Sequence, residues 1–360
     1  MSLTFNVPIN SVSFGQVSTA LLRHCFQNKI DINLFPIGNV DLSSQDEDKE
    51  FFDYIKKSID SALVSHDRTK PSFKLWHLNG GYESFSEKQV LLSFYELDSP
   101  TNFELNVARN NKTLFSSKET CETFKKLGVD CEYLPLFFDS HNFKNTGKKY
   151  FPDDRIVFNV VGKFEKRKHH HKMISSWVRK FGNNAKYALQ LSVFNPFMKP
   201  EDNEALLKNA VNNTQYFNVN ALGFMQKNSS YNDFLNSGSI VLGMSGGEGW
   251  GLPEFQSVCL GKHAVILNAT AYKEWANADN SVLVEPSGKT PAYDNVFFVE
   301  GRNVNQGNIY DFNEDEFIAG CEEAIKRYES NPVNEAGLKL QNHFTVENTF
   351  NQIKTFLENA

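Results

Sequence analysis

The sequence predicts an α/β protein made of two Rossmann-like, doubly wound domains in series, facing one another across a cleft. Three observations lead there. Short runs of β-branched and aromatic residues alternate with helix-like stretches almost from end to end, as parallel βαβ units require. A chain of 360 residues, at about 100 to 200 per domain, divides into two. Midway, the polar stretch from Asp139 to Arg155, which contains Gly147 and Pro152, interrupts the alternation and puts a boundary near Pro152.

In the first half, strands are expected over Leu3 to Ile9, Ile32 to Ile37, Phe73 to Leu78, Val90 to Tyr95, Thr113 to Ser116 and Glu132 to Leu136. Helices fall between them. Val17 to Gln27 follows a Phe14-Gly15-Gln16 turn, Lys49 to Leu63 has apolar residues at helical spacing, and Ser117 to Leu127 stops at Gly128, where glycine tolerates a left-handed backbone. In the second half the strands are Ile156 to Val161, Tyr187 to Val193, Phe217 to Leu222, Ser239 to Gly243, Ala264 to Asn268 and Ser281 to Val284. Helices Lys172 to Phe181, Asn203 to Val211, Tyr231 to Asn236 and Pro253 to Leu260 alternate with them. The amphipathic helices Glu314 to Tyr328 and Val346 to Leu357 close the chain, and residues 341–360 are expected to pack back on the first domain.

Composition narrows the function. Forty per cent apolar and 22% charged residues describe an ordinary globular chain, and a net charge of -6 gives no global field for a polyanion, which argues against a nucleic-acid partner. Neither a basic leader with an apolar core nor a stretch of about 18 apolar residues occurs, so a cytoplasmic location and no transmembrane segment are expected. Cys25, Cys121, Cys131, Cys259 and Cys321 are scattered and odd in number, which suits reduced thiols.

The richest stretch is Met244 to Ile266. A glycine loop from Gly246 to Gly251 leaves a strand and enters a helix at Pro253, a residue suited to the first helical turn, and Gly261 ends that helix before the next strand. Such a unit turns free backbone N–H groups towards an anion. Glu248 lies in the loop and Gln256 eight residues on, so the two could address different ends of one ligand. Glu254 does not substitute for Gln256, being about 200 degrees away around the helix.

This segment, SGGEGWGLPEFQSVCLGKHAVI, resembles the donor-site signature of glycosyltransferase family 4, the retaining group 1 transferases of GT-B fold. Ser245, Glu248, Gly249, Trp250, Gly251, Leu252, Pro253 and Gly261 fall in register. The run VVGKFEKRKHHHKMI is similar to the family's V-G-R-L-x-x-x-K-G, with Lys163 in place of the arginine and Lys168 in the lysine position. The resemblance implies that Lys163 and Lys168 bind the donor diphosphate, with Arg167 able to share the task. It also implies that Glu248 contacts the transferred sugar and that Gln256 stands where a glutamate usually holds the ribose. Residues 1–152 would then be the acceptor domain and 153–340 the nucleotide-sugar donor domain. Gly15 matches a glycine loop beside the phosphates, Glu96 matches an acceptor-side position, and Gly249 to Leu252 supply backbone amides. A nucleotide-sugar donor and a hydroxyl acceptor are the implied partners, with neither metal nor cofactor.

Other residues are open to two readings. His77 faces the cleft or packs structurally; Glu96 orients an acceptor or caps the next segment; Trp76 and Trp177 read as packing, whereas Trp250, inside the loop, is a candidate sugar platform. His169, His170 and His171 are consecutive, so they diverge by about 100 degrees each and do not converge on a metal. No conspicuous carboxylate pair is evident, in keeping with a reaction whose proton goes to a donor phosphate. The alternatives are a non-catalytic subunit of the same fold, suggested by Gln256 and Lys163, and a viral transferase acting on DNA bases.

Overall fold

Strand pairing separates the two halves. In the computed structural model, which describes residues 3–360, two six-stranded sheets form, and every pairing within them is parallel. The first contains β1 (Leu3–Pro8), β2 (Ile32–Ile37), β3 (Ser72–Leu75), β4 (Gln89–Ser93), β5 (Lys112–Phe115) and β6 (Cys131–Tyr133), in the order β2-β1-β3-β4-β5-β6. The second contains β7 (Ile156–Gly162), β8 (Tyr187–Val193), β9 (Val219–Ala221), β10 (Ile240–Gly243), β11 (His263–Leu267) and β12 (Val282–Val284), in the order β12-β11-β10-β7-β8-β9. Both orders reverse once, between β1 and β3 and between β7 and β10. Loops at such switch points diverge and leave a crevice for ligands beyond the carboxyl ends of the strands.

Helices α1 (Ser13–Gln27), α2 (Lys49–Ser65), α3 (Asn102–Arg109) and α4 (Lys118–Lys126) belong to the first half. The second half carries α5 (His170–Phe181), α6 (Pro200–Ala210), α7 (Asn228–Ser237), α8 (Leu252–Cys259) and α9 (Glu314–Ser330). A tail of α10 (Glu335–Leu338), α11 (Leu340–His343) and α12 (Val346–Glu358) follows, and α12 lies against α1 and β3 with Phe350, Ile353 and Leu357 buried in the core of the first sheet. That core continues through Phe344 to Trp250 and Phe255, so the two halves share packed side chains. Among the described residues no helix is long and apolar enough to cross a membrane. All five cysteines are buried free thiols.

Several local outcomes differ from expectation: the strands expected over Phe73 to Leu78, Glu132 to Leu136 and Phe217 to Leu222 are shorter, at β3, β6 and β9, and the short helices α10 and α11 are additional. Helix α1 starts at Ser13, so Phe14, Gly15 and Gln16 form its first turn instead of a loop. Helix α3 was not anticipated; its signal is a capping box in which Thr101 accepts from the Glu104 N–H while the Glu104 carboxylate accepts from the Thr101 N–H. An antiparallel hairpin, β13 (Pro286–Pro291) and β14 (Asn308–Phe312), is also new. The segment PSGKTP has no apolar alternation to mark it as a strand.

Candidate functional site

The loops after β1, β3, β4, β7 and β10 converge on one cavity of about 560 Å³ between the sheets. Its floor is a buried charge cluster centred on Arg167, which follows β7 in a short 3-10 turn, Lys166–Lys168. All three guanidinium nitrogens are engaged. One terminal nitrogen sits 2.9 Å from Glu248 and donates to the Gly247 carbonyl at 2.6 Å, the other lies 2.9 Å from Glu96, and Nε lies 3.1 Å from Glu165. Lys168 Nζ is 2.5 Å from Glu248, and Lys163 Nζ is 2.8 Å from Glu165. Glu96 belongs to the first domain and the others to the second, so Arg167 ties the two together across the cleft.

Electrostatics separates the carboxylates. Burial alone would raise the pKa of Glu248, but Lys168 and Arg167 overcome it and hold the group down at about 2. Glu96 goes the other way: burial pushes it up to about 7, since the Arg167 charge is shared with Glu248 and Glu165, which themselves repel it. Glu254 is raised to about 7 by burial as well, and its Oε2 has no hydrogen-bond partner.

The glycine loop explains itself by contact. A Cβ on Gly247 would lie 2.6 Å from the Glu96 carbonyl, and one on Gly249 would lie 2.5 Å from Phe94 Cβ, so the loop abuts the end of β4 in the other domain. Gly251 has φ +77°, and a Cβ there would meet Tyr272 at 2.2 Å. Among the described residues, the N–H groups of Gly249, Trp250 and Gly251 find no hydrogen-bond acceptor in the chain. They precede the N-terminus of α8, the end of a helix that favours an anion.

Of the residues singled out by sequence, Lys163, Lys168, Glu96, Glu248, Gly249, Trp250, Gly251, Leu252 and Gln256 all line the cavity. Gln256 accepts from the Tyr231 hydroxyl at 3.1 Å. Two candidates need correction. Gly15 does not reach the cavity: it packs on Asn10, whose backbone and side-chain oxygens would both lie 2.3 Å from an added Cβ. Trp250 is no sugar platform, because its indole is 2% exposed and edge-on to Phe255 and Phe344. Glu96, Glu165 and Glu248, in which the sequence shows no conspicuous pair, meet on one guanidinium. Glu96 does not cap the following helix; Thr101 does.

The histidines separate as expected from their spacing. His169 faces the Tyr310 carbonyl at 2.7 Å, His170 is buried edge-on to Phe164, and His171 is exposed. His77 faces the cavity in contact with Phe14, and the enclosing walls, with Lys163 and Arg167 nearby, hold its pKa down to about 4. Sequence reasoning passed over Glu165 and Tyr231 and gave Arg167 a secondary place. The available signal was the placement of Glu165 and Arg167 directly between the two lysines after β7.

No protein-family model and no curated protein sequence matches the chain. Solved structures match it over its full length. Sucrose-phosphate synthase from Thermosynechococcus elongatus is 11% identical, with TM-score 0.66, covering 100% of this chain and 98% of that one. Anabaena Alr3699/HepE in complex with UDP and glucose is 12% identical, with TM-score 0.66 and 100% of both chains covered. A glycosyltransferase from Rickettsia africae is 9% identical, with TM-score 0.67, covering 99% and 98%. At these identities the likeness is one of fold: two facing Rossmann-like domains in the GT-B arrangement of glycosyltransferases.

Proposed function

We propose that the chain is a retaining glycosyltransferase that takes a sugar from a nucleoside diphosphate donor held in the interdomain cavity. The observation that carries this is the convergence, in one cavity at both switch points, of unengaged loop amides, Lys163, Lys168 and Glu248. The fold shared with a protein solved with UDP and glucose makes UDP-glucose the first donor to try.

In the reaction, the bond between the anomeric carbon and the diphosphate oxygen breaks, and its electron pair leaves with the nucleoside diphosphate. Charge grows on those oxygens, and fixed donors aimed there lower the barrier without reorganising. Lys163, whose side chain is one-third exposed and whose single carboxylate partner is Glu165, with the Phe297 ring beneath its ammonium at 4.5 Å, is free to exchange that carboxylate for the diphosphate. The N–H groups of Gly249 to Gly251 complete the cradle. Lys168 and Arg167 fix Glu248, keeping it ionised so that it accepts hydroxyls of the transferred sugar. Gln256, oriented by Tyr231, takes the ribose end.

The acceptor oxygen bonds to the anomeric carbon on the departing face, and its proton passes to the leaving phosphate oxygen, so configuration is kept. Glu96, on the acceptor side, orients that hydroxyl. Contact of the loop with Phe94 and Glu96 excludes water from the reacting atoms, which suppresses hydrolysis. The isosteric Glu248→Gln is expected to cut nucleoside diphosphate release from a UDP-sugar by 10² or more while the chain stays folded. An unchanged rate contradicts the assignment.

A second reading, a binding subunit without catalysis, is favoured by one observation: all three cations are already paired to carboxylates. Measurable hydrolysis of a sugar nucleotide excludes it.

A further inference from the structure

The first-domain wall of the cavity has a chemistry of its own. It is built at the ends of adjacent strands, β3 and β4, where Leu75 pairs with Leu92, and it leads on to Trp76, His77 and the short turn Leu78–Gly80. Phe14 wedges against Phe94 at 4.3 Å, His77 at 4.5 Å and Trp76 at 5.7 Å between ring centroids. Gly80 fixes the indole, since a Cβ there would lie 2.5 Å from Trp76 Cδ1. The result is a rigid aromatic ledge, half-buried at Trp76 and open at His77 and Asn79.

That ledge is unsatisfied in polar terms. Among the described residues, the Trp76 indole N–H, the His77 ring nitrogens and the Asn79 amide make no hydrogen bond within the chain. It also carries no cation: the charged side chains that the first domain contributes to the cavity are Glu96 and Glu104. Phosphate-bearing acceptors need fixed positive charge, and a DNA strand needs several such contacts. A sugar ring has what this wall lacks, with an apolar C–H face for the aromatic ledge and neutral hydroxyls that both donate and accept. His77 stays uncharged at neutral pH, so one of its ring nitrogens is an acceptor.

We infer that the acceptor is a neutral saccharide, its C–H face on Trp76 and His77, its hydroxyls on Asn79 and the indole N–H, and one hydroxyl directed to Glu96. This rests on the transferase assignment above for what is done to the saccharide, but not for its binding.

The test measures UDP release from UDP-glucose with neutral mono-, di- and trisaccharides, sugar phosphates, phosphatidylinositol vesicles and hydroxymethylcytosine-containing DNA. Neutral saccharides are expected to accelerate release, and Trp76→Ala and Asn79→Ala each to raise the saccharide KM about tenfold. Asn79 is exposed and makes no hydrogen bond, so its variant folds. Acceleration by the anionic or lipid acceptors instead, UDP release that occurs but that no saccharide accelerates, or an unchanged KM in both variants overturns the inference.

Binding is read independently of the donor by fluorescence. Trp250 also borders the cavity but is 2% exposed, and Trp177 and Trp275 are buried away from it, which leaves Trp76 as the accessible tryptophan on the cavity wall. Saccharide-dependent quenching lost in Trp76→Phe, with no UDP released, upholds the saccharide site and defeats the transferase assignment. No quenching and no acceleration defeat the inference.

Discussion

Replacing Arg167 with methionine removes the charge that joins the two domains, and the structure shows where the cost falls. Glu248 keeps Lys168 and Glu165 keeps Lys163, so Glu96 is the carboxylate stripped of its ion-pair partner. Breaking a buried pair from one side costs about 3 to 5 kcal/mol. The Glu96 side chain is 25% exposed to the cavity and can regain some water, which points to the lower end, about 3 kcal/mol. With roughly 2.1 cal/mol/K of unfolding entropy per residue, that is a fall of about 4 °C in Tm for the whole chain. The deficit depends on pH. An unpaired Glu96 has a folded pKa well above its unfolded one, so the penalty is present at high pH and fades as pH falls towards the unfolded value. Scanning calorimetry at pH 5 and pH 8 reads both effects, and adding Glu96→Gln to the variant restores most of the loss at pH 8. An unaltered Tm, or a deficit that grows as pH falls, refutes the reasoning.

Glu254→Gln acts in the opposite sense. Burial raises Glu254 from 4.5 to about 7, so the ionised wild-type group weakens the fold progressively as pH rises through that window. The variant is expected to match wild type below pH 4.5 and to exceed it above pH 7 by on the order of 3 kcal/mol in urea unfolding; equal stability at pH 8 contradicts this. Gly251→Ala combines a left-handed backbone with a Cβ 2.2 Å from Tyr272 and is expected to lose about 3 kcal/mol, whereas Gly288→Ala, with no atom within 4 Å, is neutral. Similar losses at the two positions would show that the loop geometry is not what holds Gly251.

Much of this site is local in sequence and therefore readable. Glycine and proline punctuate the loop after β10, and Lys163, Lys168 and Glu248 stand at fixed offsets from strand ends, so all three reach the cavity. What depends on contact between distant segments is not readable. Glu96 meets Arg167 because two domains face each other, and no spacing within either domain encodes that meeting. Trp250 looks exposed because its neighbours are glycines, yet Phe344, close to the end of the chain, claims its ring. Helix α3 was legible in Thr101 and Glu104, although its sparse apolar residues masked it.

Isothermal titration of UDP, GDP, ADP and TDP, each with its glucose conjugate, against wild type and Lys163→Met tests the donor site most directly. One nucleoside diphosphate is expected to bind selectively, and Lys163→Met to weaken it about tenfold through loss of one charge-assisted contact. Binding by none of them, or binding indifferent to Lys163, contradicts the claim that this cavity holds a sugar-nucleotide diphosphate.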